Sequence, residues 1–262
     1  MSQFVRKVVI ITGCSSGIGK ATTLHFLSQS AEVFGIDISP FNHTLEPSHA
    51  TSFSFHQANL TEPQACDVAV QACKAKNGDK IDVLVNCAGV MDAFSSVDTL
   101  KDDEWDRVMS VNLTVPVKLM RAVLPSMKEA KGGAIVNVCS RASVSGASAG
   151  VAYTASKHGL LGATKNVAWR FHNEGIRCNA VLPGGVHTNM ATSIQQENFD
   201  VAAFASYSPV IQLHIPNGPD GQLTLPTITV DDVAKAIAFL ASDDARHISG
   251  AALPVDNAWS SI

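Results

Sequence analysis

No basic run interrupts this sequence of 262 residues; 16% of them are charged and the formal net charge is −4. Such a chain lacks the electrostatic footprint of a nucleic-acid binder or of a protein held on an anionic membrane surface. Long apolar runs are missing too. Val8-Val9-Ile10-Ile11 is far too short to span a bilayer and no cleavage site follows it, so it reads as a first strand. Ser260-Ser261-Ile262 matches no sorting or lipidation signal. No C-x-x-C pair occurs among Cys14, Cys66, Cys73, Cys87, Cys139 and Cys178. Four of these lie in or beside apolar β-type runs, where a thiol acts as a small buried hydrophobe. That usage fits a reducing, cytoplasmic setting. The nine histidines form no H-E-x-x-H or comparable spacing, so no metal site is expected. Internal repeats and linkers are also missing, which leaves one domain over 1–262.

What is present is a regular alternation. Apolar, β-branched runs recur at Val8–Ile11, Val33–Ile36, Ile81–Val85, Ala134–Val138, Cys178–Leu182 and Ala251–Val255, with a weaker alternating segment at Ser52–His56. Nearly continuous runs predict strands buried on both faces, as in a parallel sheet. Helices are predicted between them over about Gly17–Gln29, Thr61–Lys76, Asp102–Ala130, Ala152–Asn173 and Val230–Ala241. Strand alternating with helix means a doubly wound, mostly parallel α/β fold. Ser39–Ala50 has two prolines and few helix formers, so that crossover is expected to be irregular. About Asn189–Thr229 reads as a long loop, with turn chemistry at Pro216-Asn217-Gly218-Pro219-Asp220-Gly221. A long loop in a compact domain suggests a substrate lid or binding element.

Thr12-Gly13-Cys14-Ser15-Ser16-Gly17-Ile18-Gly19 follows the first strand and opens the first helix. Glycines there permit a tight turn and let a pyrophosphate approach the backbone, while the helix start offers free N–H groups and a positive dipole end. The spacing is G-x-x-x-G-x-G, which differs from G-x-G-x-x-G. Asp37 ends the second strand about twenty residues on. A carboxylate at that place accepts from the ribose hydroxyls of NAD and repels the extra phosphate of NADP, so NAD is favoured.

Tyr153-Thr154-Ala155-Ser156-Lys157 sets a phenol and an ammonium four residues apart, on one helix face. A phenol normally ionises near ~10. A nearby cation favours the phenolate and predicts a tyrosine whose pKa is brought down to move protons.

The glycine loop, Asn86-Cys87-Ala88-Gly89, Asn112, Ser140, Tyr153-x-x-x-Lys157 and Pro183-Gly184 fall in one order that resembles the short-chain dehydrogenase/reductase family from Lys7 to about Asp256. The resemblance implies a Rossmann-like seven-stranded sheet, a nicotinamide cofactor and a homodimer or homotetramer. Tyr153 would be the general acid/base. Lys157 would lower its pKa and bind the nicotinamide ribose. Ser140 would hydrogen-bond the substrate oxygen, and Asn112, on the long helix, would hold a water that extends the proton relay. Gly13, Ser15, Ser16, Gly17, Ile18 and Gly19 would cradle the pyrophosphate. Asn59 and Leu60 would meet the adenine, with Asn59 standing where the family commonly has aspartate and its amide oxygen accepting from the adenine amine. Asn86, Ala88 and Gly89 would flank the ribose, Cys87 being a departure from the commoner N-N-A-G. Pro183, Gly184, Val186 and Thr188 would flank the nicotinamide.

The expected pocket draws on Val90–Phe94, Arg141–Ser145, Gly150–Val151, His187–Met190 and the aromatic residues Phe199, Phe204 and Tyr207. Mostly apolar, it suits a hydrophobic or cyclic secondary alcohol or ketone. Arg141 could meet an anionic substrate group or point to solvent or a neighbouring subunit, and His187 could face the pocket or outward. An enzyme of the same fold that catalyses a redox-neutral isomerisation, dehydration or cyclisation is the alternative.

Overall fold

The computed structural model describes residues 3–212 and 228–261. Seven strands form one sheet: β1 (Val8–Thr12), β2 (Glu32–Asp37), β3 (Phe53–Gln57), β4 (Val83–Asn86), β5 (Gly133–Val138), β6 (Ile176–Pro183) and β7 (Ala252–Val255). Their order is β3-β2-β1-β4-β5-β6-β7 and every pairing is parallel. The expected strands are all found, including the weak Ser52–His56 segment. Central β1 is buried along its whole length because both sheet faces are covered.

The helices are α1 (Gly17–Ser28), α2 (Pro47–Ala50), α3 (Ala65–Asn77), α4 (Asp102–Met109), α5 (Val115–Glu129), α6 (Val151–Phe171), α7 (Val201–Gln212) and α8 (Val230–Ala241). Val9, Ile11, Val85 and Val136 point to one side of the sheet, packed with Phe26 of α1 and Ile237 of α8. Ile10, Leu84 and Ile135 point to the other, against Val70 of α3 and Leu119 of α5. Side chains alternate across a strand, so each β-branched run feeds both layers. Burying each such side chain stabilises the fold by about 1.5–3 kcal/mol.

Three local expectations are corrected. The helix foreseen over Asp102–Ala130 is interrupted by a π-type turn at Ser110–Thr114. Pro116 has no N–H for the carbonyl of Asn112, four residues back, so the regular ladder fails there. The helix foreseen from Thr61 begins at Ala65, because Gln64 adopts a left-handed φ of 62° and Asn59 holds Thr61 in a turn. The stretch after Asn189 is less loop-like than expected, since it carries two short 3-10 turns and the twelve-residue α7. The turn motif at 216–221 lies outside the described residues. Ser39–Ala50 is irregular apart from the single turn α2 and is packed down by Phe41, whose ring lies 4.6 Å from Phe53.

All six cysteines are free thiols. Among the described residues no cluster of potential ligands could hold a metal, and no helix is long and apolar enough to cross a membrane.

Candidate active site

In an open parallel sheet the crevice at a topological switch point forms outside the carboxyl ends of the strands. Here the switch falls between β1 and β4, because β2 lies on one side of β1 and β4 on the other. A cavity of about 330 Å³ opens there. It is lined by Gly13, Ser16, Gly17, Ile18 and Gly19 after β1, by Asp37 after β2, and by Asn59 and Leu60 after β3. Ala88 and Gly89 after β4, Ser140 after β5, Tyr153 and Lys157 of α6, and Pro183, Gly184, Val186 and Thr188 after β6 complete it. Motifs up to 175 positions apart thus meet because all but the Tyr153–Lys157 pair, which α6 carries, follow or end strands at the same edge of the sheet.

The glycine loop is built for close approach. Gly13 has φ +70°, and a Cβ on it would come within 3.0 Å of the Ala88 backbone. A Cβ on Gly19 would overlap the Gly13 carbonyl oxygen. Thr12 Oγ1 accepts from the N–H groups of Cys87 and Ala88, each at 3.0 Å, and pins the loop after β4 to the end of β1. Ser16 starts α1 without a side-chain cap, and no acidic residue lies in the first turn. The helix therefore presents free N–H groups and a positive dipole end to the cavity. That bare terminus, the glycine cradle and a carboxylate at the far end fit a dinucleotide, with the pyrophosphate on α1.

Asp37 is fixed by the backbone. Its Oδ2 accepts from the N–H of Ser15 at 2.9 Å and its Oδ1 from that of Ser39 at 2.9 Å. Ser15 does not line the cavity; its hydroxyl donates to the Ser39 carbonyl and its own carbonyl lies 2.8 Å from His43 Nε2. It braces Asp37 where a direct ligand contact was expected. Asn59 lines the cavity, but its Oδ1 already accepts from the N–H and hydroxyl of Thr61 at 3.1 and 2.8 Å. Both lone pairs are used, so the amide oxygen is not free for an adenine amine as expected. Asn86 also lies behind the wall, donating from Nδ2 to Asn137 Oδ1 at 2.8 Å.

At the other end stand Ser140, Tyr153 and Lys157. Ser140 Oγ accepts from the Ala142 N–H at 3.1 Å in a one-turn capping box, which aims the hydroxyl. The Tyr153 hydroxyl donates to Met190 Sδ at 3.8 Å, and the Ser140 side chain acts on it in the direction that favours its ionised form. Lys157 Nζ donates to the Val138 carbonyl at 2.9 Å and sits 5.5 Å from the centre of the Tyr153 ring. An ammonium has three donors, so others remain for a ligand in the cavity Lys157 lines.

The expected lowering of the phenol by Lys157 is not what the structure displays. Burial pushes Tyr153 well above its ordinary value, the Ser140 hydrogen bond pulls it back in part, and Asp92 adds to the rise. Burial likewise pushes the Lys157 ammonium down. Desolvation outweighs a cation whose nitrogen is engaged by the Val138 carbonyl.

Asn112 has no exposed surface and does not line the cavity. Its Oδ1 accepts from the Val90 N–H at 2.9 Å, and its Nδ2 donates to the Val90 carbonyl at 2.9 Å and to Ser156 at 3.2 Å. The side chain is a clamp between the loop after β4 and α6. Arg141 is buried, not solvent-facing, and His187 is exposed. Met190, within the expected His187–Met190 segment, does line the cavity beside the Tyr153 hydroxyl; sequence reading missed Thr12 as the anchor of the loop after β4 and Asp92 as the partner of the Tyr153 N–H. Neither of these two has a spacing signal; each acts through a partner distant in sequence.

The short chain dehydrogenase family model matches residues 7–198. The chain is 50% identical over 255 residues to short-chain dehydrogenase/reductase cdmF of Talaromyces verruculosus, covering 97% of each. Among solved structures it resembles levodione reductase with a TM-score of 0.82 and 28% identity, covering 98% of this chain and 99% of that one. It also resembles 4-hydroxyisoleucine dehydrogenase complexed with NADH, with a TM-score of 0.78 and 28% identity, over 98% and 100% of the two chains. The chain belongs to the short-chain dehydrogenase family. It is accordingly an NAD(P)-dependent oxidoreductase of the kind that acts on CH–OH groups and uses a nicotinamide cofactor.

Proposed function

We propose that this enzyme interconverts a hydrophobic or cyclic secondary alcohol and its ketone with NAD, and that Tyr153 moves the proton. The observation that carries the reading is the convergence of Ser140, Tyr153 and Lys157 at one end of the glycine-loop cavity. The bound nicotinamide supplies or takes up the hydride. The chain's own residues orient the substrate and handle its proton. Ser140 Oγ already accepts from the Ala142 N–H, so its O–H is the group to donate toward the substrate oxygen as charge develops there. Tyr153 gives its proton to that oxygen in reduction and takes it back in oxidation. Lys157 binds ribose hydroxyls with its remaining donors, and Asn112 holds the loop and helix between which the site is set.

Preference for NAD rests on Asp37, whose carboxylate is held at the cavity rim by two backbone N–H groups and would repel a 2′-phosphate. The apolar substrate rests on Val90, Val138 and Met190 in the lining and on the Phe94, Phe199, Phe204 and Tyr207 rings nearby. The same reading takes the chain as one nicotinamide-binding domain, cytoplasmic, acting as a homodimer or homotetramer.

A screen of secondary alcohols and ketones with both cofactors, followed through reduced-nicotinamide absorbance, tests it. Net turnover with NAD is expected. Conversion of a substrate without any net absorbance change would replace this reading with a redox-neutral one, and faster turnover with NADPH would overturn the Asp37 assignment.

A further inference from the structure

Asp92 lies in the loop after β4 with none of its surface exposed, and the activity described above does not use it. A buried carboxylate is costly unless hydrogen bonds compensate it. Its Oδ2 accepts from the backbone N–H of Tyr153 at 2.9 Å, and its Oδ1 accepts from those of Gly150 and Phe94, each at 3.2 Å. Helix α6 has no cap of its own, since Gly150 sits at its start and its first turn has no acidic residue. A local serine or asparagine would satisfy those donors. The cap comes instead from 58 positions upstream. Gly150 makes room for it, because a Cβ there would lie 2.6 Å from Asp92 Oδ2 and 2.7 Å from the Phe94 backbone.

The loop is itself held by a second buried carboxylate. Glu104 of α4 accepts from the Ala93 N–H at 2.6 Å and from the Ser95 hydroxyl at 2.7 Å. The Ser95 carbonyl in turn accepts from the Val151 N–H at 3.0 Å, on the first turn of α6.

We infer that Asp92 is a positioning residue for the reaction: it caps the helix of Tyr153 on the tyrosine's own N–H and fixes where the phenol stands and what charge faces it. The inference rests on Tyr153 being the proton carrier. All three partners of Asp92 are donors, so the loop is built to hold its ionised form, against the upward push of burial and of Glu104 on its carboxyl. The groups facing the phenol are Asp92 from this loop, Cys139 and Ser140 from the end of β5, Tyr207 from α7 and Lys157 from its own helix, with Glu104 behind Asp92. After burial, Asp92 is the foremost influence raising the phenol. A phenol kept protonated is ready to give its proton to a carbonyl oxygen. Alcohol oxidation then needs higher pH.

The test compares wild type with Asp92→Asn on a substrate from the screen, across pH, with NAD. Asparagine keeps the shape, removes the charge and sets a donor against a backbone N–H. Expected are a fall in kcat of about tenfold or more, within the roughly 10²-fold that a misplacement of about 1 Å costs, and an unchanged affinity for NADH. The pH midpoint of alcohol oxidation should move to lower pH. A drop in melting temperature with kcat and midpoint unchanged would make Asp92 purely structural. Asp92→Ser, a smaller neutral cap, should give the same directions; loss of the fold in both variants would also overturn the inference. The chain has two tyrosines, so in a Tyr207→Phe background tyrosinate absorbance reports Tyr153 without any substrate. Adding Asp92→Asn should start ionisation at lower pH, and superimposable curves would refute the role. Wild type without nicotinamide turnover would count against the proposed function alone, because the tyrosinate comparison still judges Asp92.

Discussion

Lys157 sits 5.5 Å from the centre of the Tyr153 ring and turns its ammonium to the Val138 carbonyl 2.9 Å away. The helix α6 brings the two side chains to one face, and the end of β5 decides where the nitrogen points. On the proposed reading, a lysine so placed would anchor ligand hydroxyls more than polarise the phenol. The two residues should therefore separate in binding measurements. Tyr153→Phe should lower kcat by about 10²–10⁴-fold, the usual worth of a general acid/base, and leave NADH binding unchanged by fluorescence titration. Lys157→Met should weaken NADH binding and lower kcat together. Near-wild-type turnover of the phenylalanine variant would remove Tyr153 from the chemistry.

Gly19→Ala tests the cradle. A Cβ there overlaps the Gly13 carbonyl oxygen, so the glycine loop must shift from the start of α1. Nicotinamide affinity should fall by about tenfold or more, since every ~1.4 kcal/mol of lost contact is tenfold. Calorimetric titration with NADH would reveal it, and unchanged affinity would mean that the loop does not meet the cofactor.

Asp37→Ala tests discrimination between the two cofactors. The substitution frees the N–H groups of Ser15 and Ser39 and removes the carboxylate at the rim. A hydrogen bond to a charged group is worth about 1.5–3 kcal/mol, so the ratio of kcat/KM for NAD over NADP should drop by roughly tenfold or more. An unaltered ratio would show that other residues choose the cofactor.

Acid stability tests a site remote from the cavity. Asp82 is buried, which opposes its charge, yet hydrogen bonds from Lys80 and the Val8 N–H and the nearby Lys7 and Lys80 charges together hold its carboxyl below the ordinary 3.8. The bridges measure 2.7 Å to Lys80 and 3.4 Å to Lys7. A folded-state pKa below the unfolded one adds stability that is full above the unfolded value and is lost as pH falls through the folded value. Asp82→Asn should lower urea stability near neutral pH by about 1.5–3 kcal/mol. The gap from wild type should close as pH drops below 3.8. A gap independent of pH would contradict the ion-pair account.

Much of the fold was legible because parallel strands covered on both faces must be apolar throughout. Val8–Ile11 and Cys178–Leu182 announce themselves for that reason. Helix Val230–Ala241 was read to its bounds, helped by the acidic first turn; the structure adds a capping box between Thr229 and Asp232. The break at Ser110–Thr114 was missed although Pro116 is visible in the sequence, because proline is tolerated in a first helical turn and only the packed helix reveals which.

At the site, the sequence by itself determined the local parts: glycines where a strand turns into a helix, a carboxylate at the next strand end, and a tyrosine and lysine one helical turn apart. Such signals are short-range, and backbone geometry imposes them wherever the residues occur. Only the tertiary structure decided that Ser15 braces Asp37, that Thr12 anchors the loop after β4, that Asn112 clamps Val90, and that Asp92 caps the helix of Tyr153. It also reversed the direction expected for the phenol. Spacing tells how near two charges can come, whereas the balance of desolvation against hydrogen bonds depends on everything packed around them.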